Sequence, residues 1–595
     1  MLILYNFGVW EHPIFEVQIN QIMKKHQVSF LVLSLFLITS CAQKSTPQPI
    51  EGEWIGHLPN KNCFNFKVSL KKVGDTTFNL NITNGEMLLE KTVQSSAEDT
   101  IRFNVNEQLV FDLKYAEDQQ ALTGFIKSGR FLYRVHLAQT ESDKYEGNWN
   151  AFMVDNGLQS DDIMLYTELT EAENLVAYPF FGDQRFRGAW AEGFKREGDV
   201  LLFKDGNTGL NFRAKLLEGT IELDILLTDV LITKTSLTHT TEGWEYSSNA
   251  VDQSQSSNTP AQLNDGWETA NGKDFKIDTK QLDRLIQDVQ AQKLVNTHSV
   301  LISKEGNLVF ETYFDGHNAN IPHDLRSASK SISSAVIGIA IDDGIIESVD
   351  ETLYRFIPKE YQYTKDDQKS KIRIKDLLTM SSGMDVNKLA NEDYYQNPGN
   401  PNSWLQSVLE APMVNEPGTY FDYGSANPFL LGVCLNQRLD MPMETYMHEK
   451  LFAPLGITNY INQTDDTERV PYFGGGMLLT SRDLLKFGQL FLNQGQWNGK
   501  QVISAAWVAE SFGKYGRLQD TRDKNEYGYL WWHDTYQVNG KPIAAIEARG
   551  AGGQFIFILP ELEAVVVVTS GNFRNRKGNQ PRDILQEYIL PALAN

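Results

Sequence analysis

Between residues 51 and about 248 the chain alternates apolar and polar positions in short runs, among them FNFKVSL, TFNLNIT, FLYRVHLA, DVLLFKD and IELDILL, separated by Gly, Asn and Asp. A period of two sends alternate side chains to opposite faces of a pleated strand, so this stretch reads as antiparallel β structure. A Gly-x-Trp element recurs at Trp54, Trp149 and Trp190, each opening a strand-like segment, and FLYRVHLAQT is echoed by VLITKTSLTHT. The repetition predicts an all-β region over residues 50–248, built from two related small units of barrel-like form, with the tryptophans packed in cores or at barrel ends.

The pattern changes at residues 249–265, which are polar, rich in Ser and Gln and without periodicity, as expected of an interdomain linker. Over residues 266–595 helical and strand periods mix. TKQLDRLIQDVQAQ reads as a helix, SVLISKEGNLVFETYF and FIFILPELEAVVVVTS as hairpins, and PRDILQEYILPAL as a closing helix. Strands from both ends of the segment predict one antiparallel sheet flanked by terminal helices, an α/β domain. Within it, RSASKSISSAVIGIAIDDGII (326–346) predicts an amphipathic helix that buries Ile332, Val336 and Ile339 on one face and stops at Gly344.

Composition bounds the rest. A chain of 595 residues with 41% hydrophobic and 11% aromatic residues is multidomain and globular. Its net charge of -22, with no basic stripe, excludes a nucleic-acid partner. Near the N-terminus, Lys24 and Lys25 precede VSFLVLSLFLIT and then Ser40 and Cys41, the order of an export signal, with an apolar run too short to span a bilayer. Met23 opens MKK as a natural start would, which makes residues 1–22 an upstream extension. LITSC resembles a bacterial lipoprotein box, which implies cleavage before Cys41, lipidation there and attachment to a membrane of the cell envelope; Ala42 favours the outer one. Cys63 and Cys434 then remain, in different predicted domains, so no structural disulfide is expected.

The serine-rich helix carries the candidate chemistry. Of its serines only Ser327 has a lysine three residues on, Lys330, and three residues turn an α-helix by about 300°, so the two side chains emerge on neighbouring sides of one turn. A serine hydroxyl needs a base to take its proton, and lysine serves only when burial or positive potential lowers its pKa. A helix start supplies such potential and N–H groups for an oxyanion. Ser-x-x-Lys also occurs at Ser69–Lys72 and Ser511–Lys514, so the spacing alone is weak. No Gly-x-Ser-x-Gly elbow, His-Glu-x-x-His or paired-Cys motif is present, and no cofactor or metal is expected. The glycines of FGGGML read as a structural turn, and His448 and His533 as packing or surface residues.

The motif's company is more specific. It leads to IRIKDLLTMSSGM, EPGTYFDYGSANPFLLG, GGGMLLTSRDLLKFGQLFLNQGQWNGKQVI, YGYLWW and RGAGGQFIFILPELEAVVVV. In this order the set resembles the serine β-lactamase and penicillin-binding-protein superfamily, in its class C-like branch of esterases, D-aminopeptidases and 6-aminohexanoate-dimer hydrolases, over residues 275–595. The resemblance implies a β-lactamase-like domain in which Ser327 is acylated, Lys330 is its base or proton relay, and Tyr423 of DYGSAN exchanges protons with the serine or leaving group. Ser425 stands where the family has asparagine. Where the family has Lys or His, Thr or Ser, then Gly, this chain has Gly550, Ala551 and Gly552, followed by Gly553, whose N–H would join that of Ser327 around an oxyanion. The missing cation and hydroxyl favour ester or linear amide substrates over β-lactams and D-Ala-D-Ala peptides; Arg549, a strand residue beside the motif, either replaces the cation or faces solvent. Trp532 of YGYLWW is the expected substrate contact. The competing readings are a β-lactamase or D-amino peptidase, and a catalytically impaired binding protein of the cell envelope.

Overall fold

The computed structural model of the protein describes residues 51–594, apart from 97–99, 117–119, 154–156, 159, 171–172, 183–190, 243–258, 468, 520, 522–523 and 574. Cys41 with its leader, Trp190 and most of the linker lie outside the described residues.

Each alternating run named above is a strand. Eight strands between Asn65 and Asn150 form an antiparallel meander in chain order whose last strand, Lys144–Asn150, pairs with its first, Asn65–Lys72. Met87–Gln94 and Thr100–Asn104 pack side by side across the remaining gap, so the sheet is nearly closed. A second sheet has seven strands between Asp162 and Thr240 and takes its eighth from the start of the region: β1 (Gly52–His57) lies between Val230–Thr240 and Asp162–Leu169.

The two sheets present matching geometry at the inserted strand. A Cβ on Gly147 would lie 2.4 Å from His136 O and 2.7 Å from Leu137 Cδ2; on Gly56 it would lie 2.4 Å from Ser236 O and 2.7 Å from Leu237 Cδ2. Only glycine permits so close an approach by the next strand. The match equates β1 with Lys144–Asn150 and sets the echoed runs, β2 (Phe131–Glu141) and Val230–Thr240, at equivalent places. It also corrects the Gly-x-Trp register, because Trp54 faces His239 as Tyr145 faces Gln139, leaving Trp149 two pleats further on. Both tryptophans are buried: Trp54 Nε1 donates to Thr167 Oγ1 at 3.0 Å, and Trp149 packs on Phe66 and Tyr133.

Beyond the linker, α1 (Thr279–Gln290) precedes the hairpin β3 (Thr297–Lys304) and β4 (Asn307–Tyr313). Then come β5 (His323–Asp324), α2 (Ser329–Asp342), α3 (Ala426–Asn436), β6 (Tyr460–Gln463), β7 (Met477–Leu479), α4 (Ser481–Leu492), β8 (Trp532–Val538), β9 (Lys541–Gly550), β10 (Gln554–Leu559) and β11 (Ala564–Ser570). The antiparallel sheet runs β4-β3-β11-β10-β9-β8 and continues into two short strands, joining both ends of the segment as the pattern predicts. α1 and the C-terminal helical segment share one core with one face; α2 and α4 pack on the other.

One expectation changes. α2 is buried on every side from Ser329 to Ala340 rather than along one stripe, because α3, the helix Ala505–Ser511, the turn His448–Phe452 and the sheet strand β9 enclose it. Three of its four hydroxyls are satisfied by backbone carbonyls: Ser329 donates to Arg326 O (2.8 Å), Ser331 to Leu530 O (2.7 Å) and Ser333 to Phe473 O (3.2 Å), while Ser334 Oγ is buried without a hydrogen bond. Those bonds let so polar a segment sit in a core.

The β region is joined to this domain by a ladder. β6 pairs with β2, aligning Ile461 with Tyr133 and Gln463 with Phe131, and also with β7, which pairs with β5. Thr464 donates its N–H and hydroxyl to Arg130 O. The end of the linker is docked as well: Arg482 of α4 holds Asp265 (3.0 Å) and Ala261 O (2.8 Å).

Candidate active site

β5 ends three residues before Ser327, so the ladder that begins in the first barrel delivers the chain to the reactive turn. Arg326, at the entry to that turn, has φ +49, a left-handed conformation costly for a residue with a Cβ. Asp324 holds it there, accepting from the Arg326 N–H at 3.0 Å and pairing with its guanidinium at 2.7 Å, while that group lies 5.1 Å from the Phe573 ring centre. Ser327 follows in a single 3₁₀ turn that feeds α2.

Lys330 sits one turn into this segment, only 1% exposed, with Nζ 2.8 Å from Ser327 Oγ and a second bond donated to Gly474 O. Burial lowers its pKa to about 8, against an opposing pull from the Glu392 carboxylate. The carbonyl can only accept, so a neutral Lys330 keeps one N–H on Gly474 and turns its lone pair to the Ser327 proton. Gly474 belongs to the FGGGML turn, which is therefore part of the site as well as a bend. At its neighbour Gly475 an added Cβ would lie 3.8 Å from Ser327 N.

Tyr423 presents its ring to the lysine, 5.4 Å from Nζ to ring centre. Trp532 packs on Tyr423 at 5.2 Å and Tyr527 approaches both edge-on. The Arg549 guanidinium lies 4.7 Å from the Trp532 ring centre. Trp532 is thus buried between aromatic and cationic neighbours and fixes Tyr423. Arg549 cannot replace the missing substrate-binding cation, because it is committed to Asp534 (2.7 Å), Glu547 (2.6 Å) and Asn525 Oδ1 (3.2 Å).

Ser425 immediately precedes α3 without capping it and donates to Glu392 Oε2 at 3.2 Å, while Tyr472 donates to Glu392 Oε1 at 2.6 Å. Its hydroxyl faces this carboxylate. Glu392, which sequence reasoning missed, is the acid that acts on Lys330; it opens a one-turn helix, Glu392–Tyr395, too short to leave a periodic signal. Asn427, in the first turn of α3, is fully buried with its Oδ1 lacking a hydrogen-bond partner.

The glycine turn closes the site. A Cβ on Gly550 would lie 2.2 Å from Leu325 O and 3.1 Å from Ala328 N, so β9 runs directly against the backbone of the Ser327 turn. Gly552 (φ +82) and Gly553 (φ +95) adopt left-handed conformations, and added Cβ atoms would strike Phe573 and Ser570. The Gly553 N–H, expected in the oxyanion hole, donates to Gly550 O at 3.2 Å, because the turn closes on itself. His448 and His533 pack as expected, burial holding both well below the usual imidazole range, at about 3 and about 4. Cys63 and Cys434 are buried and unbonded to each other.

A family model described as Beta-lactamase matches residues 282–590, from within α1 to the C-terminal helical segment. The chain belongs to the beta-lactamase family. It is a serine hydrolase of that family. The 6-aminohexanoate-dimer hydrolase of Paenarthrobacter ureafaciens is 24% identical over 303 residues, covering 46% of this chain and 72% of that protein. The monacolin J acid methylbutanoyltransferase of Aspergillus terreus is 30% identical over 157 residues, covering 23% of this chain and 37% of that one. Among solved structures, a putative 6-aminohexanoate-dimer hydrolase from Bacillus anthracis is 23% identical with a TM-score of 0.42, covering 49% of this chain and 76% of that one. The beta-lactamase family match begins after the two β-sheets of the N-terminal region.

Proposed function

We propose that this beta-lactamase-family hydrolase cleaves ester or linear amide bonds through an acyl-enzyme on Ser327. The observation that carries the reading is the 2.8 Å contact between Ser327 Oγ and a buried Lys330 whose pKa falls to about 8. At pH 7 such a lysine is neutral in about one molecule in ten, whereas a free lysine is neutral in about one in a few thousand. Neutral Lys330 takes the Ser327 proton as Oγ attacks the carbonyl carbon; Lys330, with Tyr423 beside it, returns a proton to the departing alcohol or amine. Water then follows the same route in reverse and frees the acid. The N–H groups of Ser327 and of Ala551, the residue after Gly550 on the strand packed against the Ser327 turn, receive the oxyanion.

Esters and linear amides suit the site better than β-lactams or D-Ala-D-Ala peptides. Those ligands bring a carboxylate, and Arg549 is held by Asp534 and Glu547. Relatives named 6-aminohexanoate-dimer hydrolase and methylbutanoyltransferase support this reading. We further propose attachment to the cell envelope through Cys41, on the strength of the charged, apolar and small-residue order around residues 24–41. The test of the chemistry is a fluorophosphonate probe read by intact mass and peptide mapping. One adduct on Ser327, absent in Ser327→Ala, is expected; labelling elsewhere, or none at pH 8, rejects the mechanism.

A further inference from the structure

Metal-binding residues were not expected, and those concerned are too scattered in sequence to make a motif. His298 lies near the start of β3, His317 follows β4, and His323 opens β5. The fold gathers them, so that one ring nitrogen of each lies within 4.8 Å of the other two. The His298 and His317 rings stack at 4.1 Å, and His298 Nδ1 is 2.8 Å from His323 Nε2. His298 and His323 are buried, while His317 is partly exposed and leaves a way in.

The tautomer of His323 follows from its neighbour. Its Nδ1 lies 3.1 Å from Asp324 O, and a carbonyl only accepts, so Nδ1 carries the proton and Nε2 turns a lone pair into the cluster. A backbone carbonyl fixing the outer nitrogen in this way is the usual outer support of a metal-binding histidine. Burial also keeps this imidazole neutral by lowering its pKa.

We propose that His298, His317 and His323 bind one divalent transition-metal ion of the zinc type, with water as a fourth ligand. Three imidazoles suit zinc, copper or nickel rather than magnesium or calcium. Zinc bonds of about 2.0–2.1 Å put tetrahedral ligand nitrogens about 3.3 Å apart, so the close His298–His323 pair opens slightly and His317 swings inward. Without metal, His298 Nδ1–H donates to His323 Nε2; on binding, that proton passes to His298 Nε2, and no net proton is lost. The ion ties the central sheet to β5, four residues before Ser327, so it positions the reactive turn from outside the acyl site.

The experiment uses the full chain, stripped with chelator and loaded with zinc or cobalt(II). Gel filtration followed by elemental analysis should find one zinc per chain, and cobalt should give the visible absorption of a tetrahedral site. His317→Gln, at the partly exposed position, should weaken zinc binding at least about tenfold. His57→Ala should change nothing, although His57, Asp161 and Asp162 form an exposed cluster within the same distance limit. In the wild type, zinc should also shield His317 from diethyl pyrocarbonate, a readout that needs no variant. Retention no greater than in the stripped blank, wild-type affinity in His317→Gln, loss of the ion in His57→Ala, or unshielded His317 would each overturn the site.

Discussion

Replacing Lys330 with methionine should abolish turnover and change how stability depends on pH, by an amount the burial of this side chain sets. Lys330 has a folded pKa of about 8 against 10.5 for the free group, and desolvation is the main cause. The unfolded chain therefore binds this proton more tightly than the folded one. The sign follows: below pH 8 the mismatch costs the folded protein about 3.4 kcal/mol, and stability from this group rises as pH climbs from 8 towards 10.5. At pH 9.5 the remaining cost is about 1.4 kcal/mol, so the gap between wild type and Lys330→Met should move by about 2 kcal/mol in favour of wild type between pH 7 and 9.5. At pH 7 the variant gains the desolvation term but leaves Gly474 O without its donor, a loss of about 1–3 kcal/mol, so the two proteins should differ little there. Urea unfolding of both at several pH values isolates the titrating term, since other groups cancel in the difference. Parallel stability curves from pH 7 to 9.5 would show that Lys330 titrates in the fold as it does in water, and the base mechanism would go with it.

Three further outcomes follow from the same geometry. In wild type, kcat/KM for p-nitrophenyl butyrate should rise with pH through a limb near 8, and Glu392→Gln, which removes the carboxylate that raises the Lys330 pKa, should move that limb lower; an unmoved limb in a folded variant excludes Glu392 as its cause. Ser327→Ala should lose ester hydrolysis yet melt within a few degrees of wild type, because Ser327 contributes no cap to α2; activity surviving there but lost in Ser329→Ala would relocate the nucleophile. Nitrocefin should be turned over about ten- to a hundredfold less efficiently than short esters for want of a carboxylate partner, and comparable efficiencies would mean a cation other than Arg549 serves.

The sequence carried the strands and hairpins clearly, because a period of two survives wherever one face meets water, as in TFNLNIT or IELDILL. It misread α2 as one-sided, since serines bonded to carbonyls look polar in a pattern and behave as core in the fold. The Ser327–Lys330 pair was legible because both partners lie on one turn. Glu392 and Gly474 were not, since each reaches Lys330 from sixty or more residues away, and the Gly553 hydrogen bond was not, since it depends on how tightly a run of glycines turns back on itself. The three histidines show the same limit, because their neighbourhood exists only once the fold brings side chains from β3, β5 and the segment after β4 together.

Gly550 shows how such long-range packing constrains any attempt to change specificity. The residue occupies the family's cation position, which invites Gly550→Lys with Ala551→Thr as a way to recruit a carboxylate. The geometry opposes it: the first carbon of any side chain there would stand 2.2 Å from Leu325 O, and both the carbonyl and the facing strand are backbone. Relief requires moving either β9, held between β8 and β10, or the Leu325–Ala328 turn that carries Ser327. The turn is the shorter and more strained of the two, with Arg326 already at φ +49. Even Gly550→Ala should therefore lower kcat for a short ester at least about a hundredfold, since a displacement of about 1 Å at the nucleophile costs that much. KM should change little if the acyl pocket lies on the far side of Ser327. A Gly550→Ala protein with near wild-type kcat would mean that β9 yields instead, and the absent cation would then be a choice of residue rather than a lack of room.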